Sequence, residues 1–143
     1  MTIDAHAQAF LDRLHTDIGP PPLNVHDDEV PDGTDPRTDP YVVVYFTVKT
    51  PNGEEAPDKV SLTMDSDVVE MSAYCHCVGG SAKAARIVQT RVRSRLLNAR
   101  VTIAGRVCSP IRHVDNQPPR RDEDTGSLVV DAVDVYRLVT VPA

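Results

Sequence analysis

The sequence predicts a single α+β domain over residues 1–143, a mainly antiparallel or mixed β-sheet of four to five strands with two helices packed on one face. Three observations predict it. Apolar residues repeat at helical spacing in two stretches, 2–18 and 82–99. Between and after these lie strand-like runs at 41–48, 60–64, 68–78, 101–108 and 128–141. Two amphipathic helices and such a set of strands bury their apolar surface most simply when both helices lie on one face of the sheet.

In order along the chain, the first helix carries its stripe on Ile3, Ala7, Phe10, Leu11, Leu14 and Ile18, and Gly19 followed by three prolines ends it. Residues 19–40 are rich in Pro and Asp and read as an extended surface connection. Tyr41 to Val48 is apolar on both faces, as a central strand would be. Pro51-Asn52-Gly53 turns the chain, and Val60 to Met64 returns as a short strand. Val69, Met71, Ala73, Cys75 and Cys77 then alternate along one side of a strand. Gly79-Gly80 follows, and Ser81 stands at the N-cap of a helix whose buried stripe is Ala85, Val88, Val92, Leu96 and Ala99. Val101 to Cys108 reads as a further strand, ended by Pro110. Residues 112–127 show no periodicity and read as a long exposed loop or arm. The last strand, to Val141, places Val129, Val133, Val135, Val139 and Val141 mostly on one face.

A chain of 143 residues buries roughly 68–70% of its unfolded surface, enough for a core without staples. The longest apolar run is too short for a bilayer span, and the first residues show neither the basic nor the apolar region of a secretory signal. Three cysteines, two of them nearly adjacent on one strand, indicate thiols in a reducing, cytoplasm-like compartment. Six aromatic residues (four Tyr, two Phe, no Trp) provide few stacking platforms for single-stranded nucleic acid. Net charge is −6, and it is unevenly distributed: residues 1–82 sum to −11 and residues 83–143 to +5. Such polarity lets the two halves attract each other within the fold, or lets neighbouring copies meet positive side to negative side.

Motifs for catalysis or metal binding fail on spacing. Cys75-His76-Cys77, with Cys108 and His113 downstream, suggests zinc or a small hydrolytic enzyme. Strand alternation, however, puts the two cysteines on one face and His76 on the other, and zinc ligand pairs favour separations of two to four residues on a turn. Gly79-Gly80-Ser81-Ala82-Lys83 lacks the glycine-to-lysine spacing of a phosphate loop and the Ser-x-x-Lys spacing of a lactamase nucleophile. The acidic clusters His26-Asp27-Asp28-Glu29 and Asp122-Glu123-Asp124 do not match a calcium loop. No catalytic residue, cofactor or metal is therefore expected.

The second helix is distinctive. Lys83, Arg86, Thr90 and Arg93 fall on the side opposite its apolar stripe, flanked by Arg91 and Arg95, and no Asp or Glu occurs between Lys83 and Arg100. A solvated helix gains ~0.2–0.5 kcal/mol from each i,i+4 pair of opposite charges and loses similar amounts to like pairs. The counter-charge for this face must come from outside the helix: another loop, a neighbouring subunit or phosphate. The acidity of the whole chain favours protein.

The chain resembles the tail terminator proteins of long-tailed bacteriophages, the family of the lambda minor tail protein U. The resemblance runs through Ala9-Phe10-Leu11-Asp12-Arg13-Leu14, through Val30-Pro31-Asp32-Gly33-Thr34 leading into Pro40-Tyr41-Val42-Val43-Val44-Tyr45, through Cys77 to Arg86, and through Asp134-Val135-Tyr136-Arg137-Leu138. It implies a virion structural protein and no enzyme. It also implies a homo-oligomeric ring, a hexamer in that family, assembled in the host cytoplasm. The ring caps the finished tail tube of major tail protein and joins it to the head-side connector or stopper. Genomic DNA would pass through the lumen without sequence-specific binding, and no membrane is involved. Interface candidates on this reading are Lys83, Arg86 and Arg93 of the helix face, with Arg112, Arg120, Arg121 and Asp122 of the arm. The nearest alternative is another neck component, a stopper or connector.

Overall fold

Helix α1 (Thr2–Leu14) and helix α2 (Ala82–Leu96) lie on one face of a six-stranded mixed sheet. The structure, a computed structural model, describes residues 2–15, 23–49, 68–122 and 129–143. The strands are β1 (Asn24–Asp27), β2 (Tyr41–Lys49), β3 (Val69–Gly79), β4 (Arg106–Cys108), β5 (Arg112–Asp122) and β6 (Val129–Pro142). Their spatial order is β1-β2-β3-β6, with β4 and β5 sharing the outer edge of β6. β1 runs parallel to β2, and every other pairing is antiparallel. The expected α+β class and the placement of both helices on one face are therefore found.

The core follows from the alternation of β3. Val69, Met71, Ala73, Cys75 and Cys77 are fully buried toward the helices, facing Val42 and Val44 of β2 and Tyr136 and Leu138 of β6. Phe10 and Leu14 of α1, and Val88, Val92 and Leu96 of α2, close over them. His6 is also fully buried, with its Nε2 2.6 Å from Thr140 Oγ1, so α1 is tied to β6 by a polar contact as well as by packing. Ser81 caps α2 as expected, accepting from Ala84 N–H at 3.1 Å. The helix ends at Leu97, and Asn98 takes the left-handed conformation (φ 62) that terminates helices, its N–H donating to Ile111 O at 2.8 Å. Gly79 is required where β3 meets α2: a Cβ there would lie 2.7 Å from Ala84 Cβ.

Four readings need correction or addition. Residues 112–122, expected to be a structureless arm, form β5. The side chains of residues 114–121 are exposed, so there is no buried face to impose an alternating pattern. Pro118 and Pro119 fall within a register shift between Gln117 and Arg120, where the ladder is already interrupted. Within Val101–Cys108 only Arg106–Cys108 is a strand. The preceding turn, with Gly105 at φ 75 and Arg106 N–H bonded to Ile103 O, sends Ile103 into the core instead. The Pro- and Asp-rich connection contains β1, a four-residue strand that adds an edge to the sheet. In β6 the odd-numbered valines do share a face, but it is the helix-free one; Val130, Ala132, Asp134, Tyr136, Leu138 and Thr140 face the helices. The Pro51–Gly53 turn, the strand at 60–64 and residues 123–127 of the arm lie outside the described residues.

Candidate functional site

The outer face of α2 carries the charge pattern seen in the sequence. Lys83, Arg86, Thr90 and Arg93 are exposed, while Ala85, Val88 and Val92 are buried behind them. Arg95, which the spacing placed as a flank of this face, is instead buried. Among the described residues, Lys83, Arg86 and Arg93 make no ion pair within 4.0 Å. Ile87, 52% exposed, lies on the Lys83–Arg91 side of the helix, on the flank away from Arg86 and Arg93. On one flank of the helix, Leu23, Pro40, Ala84 and Ile87 line a notch of about 280 Å³. On the other, Arg86, Thr90 and Arg93 face Asn116 of β5 across a shallow groove floored by Asp134.

Asp134 is the polar centre of that groove and sequence reading missed it. It is only 5% exposed, yet three side chains from two elements converge on its carboxylate. Gln89 Nε2 of α2 donates to Oδ2 at 3.1 Å, Asn116 Nδ2 of β5 donates to Oδ1 at 2.6 Å, and His113 Nε2 lies 2.9 Å from Oδ1. A buried carboxylate is tolerated when several donors satisfy it. Here the donors join α2 to β5 through β6. His113 also packs edge-on against Tyr136 with ring centroids 5.3 Å apart, and burial, reinforced by Asp134, raises the Tyr136 phenol above its ordinary range. The sequence held no signal for it: with the odd-numbered valines read as one apolar face, Asp134 falls on the face expected to be solvated.

The helix-free face has a separate feature. Tyr41, Val43 and Tyr45 of β2, His76 and Val78 of β3, and Asp131 of β6 line a cleft of about 350 Å³, with Arg120 and Arg121 at its β5 side. His76 Nδ1 lies 2.9 Å from Asp131 Oδ2, and the His76 ring meets Tyr45 edge-on at 5.2 Å. Partial burial and the Asp131 charge raise the Tyr41 phenol. Among the described residues no serine, threonine or cysteine lines this cleft.

The seven interface candidates do not form one surface. Lys83, Arg86 and Arg93 share the α2 face. Arg112 opens β5 and is held by Asn98 Oδ1 beyond the end of α2. Arg120 and Arg121 lie at the far end of β5 beside the cleft, and Asp122 is the last residue of that strand. The cysteine constellation is dispersed as well. Cys75 and Cys77 point into the core, where burial drives both thiols well above their ordinary range, away from thiolate chemistry. His76 faces the opposite side, and Cys108 pairs with Thr140 far along β6 from Asp134, the partner of Cys75. Among the described residues no group of three His, Cys, Asp or Glu side chains is placed to hold a metal ion.

No protein-family model matches the chain, and no curated protein matches it in sequence. Its fold does match a solved structure. A chain from the virion of a native gene transfer agent (GTA) particle superposes with a TM-score of 0.69, covering 96% of each chain at 16% sequence identity. At that identity the likeness is one of fold.

Proposed function

We propose that this chain is a structural protein of a phage-like virion and, within it, a tail terminator. Copies form a closed ring, six-membered by the family resemblance, that caps the tail tube and joins it to the head-side connector. The observation that carries this reading is the end-to-end likeness of the fold, covering 96% of both chains, to a component of a GTA virion. That likeness agrees with a resemblance drawn from different grounds, the order of elements and the motifs along the chain. The dispersal of Cys75, His76 and Cys108 removes the zinc or hydrolytic constellation that the sequence suggested. Lys83, Arg86 and Arg93 supply the subunit-facing surface, and Arg112, Arg120, Arg121 and Asp122 lie on the strand available to tube or connector. Assembly takes place in the host cytoplasm and ends in the virion neck, with DNA passing through the lumen unread.

The test is assembly. The purified chain, alone and with tail-tube protein, is examined by light scattering and negative-stain imaging. Rings, and tubes capped at one end, are the expected result. A protein that stays monomeric with tube protein present overturns the reading, and one that joins portal rings while ignoring tubes reassigns it to a stopper.

A further inference from the structure

An acidic corner stands at one edge of the sheet, while the Arg86/Arg93 flank of α2, a helix packed over β3 and β6, faces the other. β1 forms one edge, and β5 with β4 forms the other. Beyond β1 the chain turns a held corner. Asp28 adopts φ 64, its N–H donates to Val44 O at 3.2 Å, and Glu29 N–H donates to Asp27 O at 2.7 Å. Asp27, Asp28 and Glu29 are all exposed there, and Asp32 follows in the same connection. None of these four makes an ion pair within 4.0 Å among the described residues. Toward the other edge, the groove between α2 and β5 presents Arg86 and Arg93, likewise without an ion-pair partner among the described residues.

We propose that the acidic corner Asp27–Glu29 of one copy docks on the Arg86/Arg93 face of α2 in the next. This deepens the ring reading and rests on it, because it names the two surfaces that meet. Complementary charge facing opposite edges makes the contact heterologous: each copy offers one surface forward and the other backward, as a closing ring requires. The net charge of −6 repels a phosphate backbone, whereas the acidic corner of a second copy brings the opposite charge to Arg86 and Arg93, so the occupant is protein. The corner is already shaped by its backbone bonds, so docking orders little that was free.

The experiment is a charge exchange read by sedimentation velocity. Arg86→Glu/Arg93→Glu alone, and Asp27→Lys/Glu29→Lys alone, should each weaken self-association roughly tenfold or more. Both variants should keep the thermal midpoint of the isolated subunit. Each variant still carries one native surface and one reversed surface, so mixing the two restores complementarity at every contact. Assembly should therefore return in the mixture, and also in the fourfold variant. Wild-type rings should loosen as salt rises. If wild-type copies assemble but neither reversal affects them, or the mixture fails to recover, this docking is wrong while the ring reading stands. If the α2 reversal leaves assembly intact and abolishes binding to duplex DNA, the helix face is a nucleic-acid surface and the docking is overturned. A wild-type chain that never assembles removes both.

Discussion

Replacing Asp134 tests whether the carboxylate really joins three elements. In Asp134→Ala, Gln89 Nε2 and His113 Nε2, both partly buried, lose their acceptor, while exposed Asn116 turns to water. Leaving a buried donor unsatisfied costs about 1–3 kcal/mol, so two such donors amount to about 2–4 kcal/mol once partial exposure is allowed for. In Asp134→Asn the side-chain oxygen can still accept from His113 and Asn116, and Gln89 can turn its amide to accept from the new NH₂. Mainly the extra strength of hydrogen bonds to a charged group is lost, about 1 kcal/mol. For a chain of this length each kcal/mol moves the melting midpoint by roughly 4 °C. The alanine variant should therefore melt roughly 8–16 °C lower and the asparagine variant roughly 4 °C lower. Calorimetry at one dilute concentration, where assembly adds nothing to the midpoint, is the measurement. Hydrogen exchange should show β5 amides opening first in the alanine variant. Midpoints within about 2 °C of wild type, or equal losses for both variants, would refute the network.

Three further outcomes follow from the geometry. Gly79→Ala places a Cβ 2.7 Å from Ala84 Cβ and 2.9 Å from Ala85 N, forcing β3 and α2 apart, and should cost about 1–3 kcal/mol in a denaturant titration. Gly80→Ala, whose Cβ would sit 3.0 Å from Arg37 Cα and near its flexible side chain, should cost less. Ser81→Ala removes the acceptor for Ala84 N–H and should lower stability by about 1 kcal/mol, with the first turn of α2 exchanging faster. The buried Cys75 and Cys77 thiols stay protonated in the fold, whereas unfolded thiols ionise near ~8.5. Their contribution is complete below that pH and is lost as pH rises, by about 1.4 kcal/mol per thiol per unit, because only the unfolded state releases the protons. Urea midpoints measured from pH 8 to 10 should fall accordingly, and native-state alkylation should label Cys108 well before the other two.

How far the fold could be read from the sequence depended on burial. β3 and α2 each have one buried and one open face, so their apolar spacing alone located Cys75, Cys77, Val88 and Val92 in the core. β5 has no buried face to impose a pattern, and its Arg, Asp, Gln and Pro residues look like a loop because strand pairing leaves no trace in side-chain polarity. β6 misled in the opposite way. Its centre is buried on both faces, so the odd valines were as apolar as the true core positions, and Tyr136 and Asp134 did not stand out. The cationic face of α2 was visible because it depends only on spacing within one helix. The Asp134 cluster was not, since it assembles residues from three elements separated along the chain.

β6 follows every other described strand in sequence, yet it lies in the interior of the sheet, paired to β3 on one side and to β4 and β5 on the other. That order makes folding a matter of timing. β2 and β3 can pair early, but β4 and β5 have no strand to join until β6 arrives, and the sheet then unites in one step over contacts distant in sequence. Folding should be slow and all-or-none, as non-local pairing dictates. A chain cut before residue 129 would leave β3 as a raw apolar edge and would aggregate rather than persist as a half-domain.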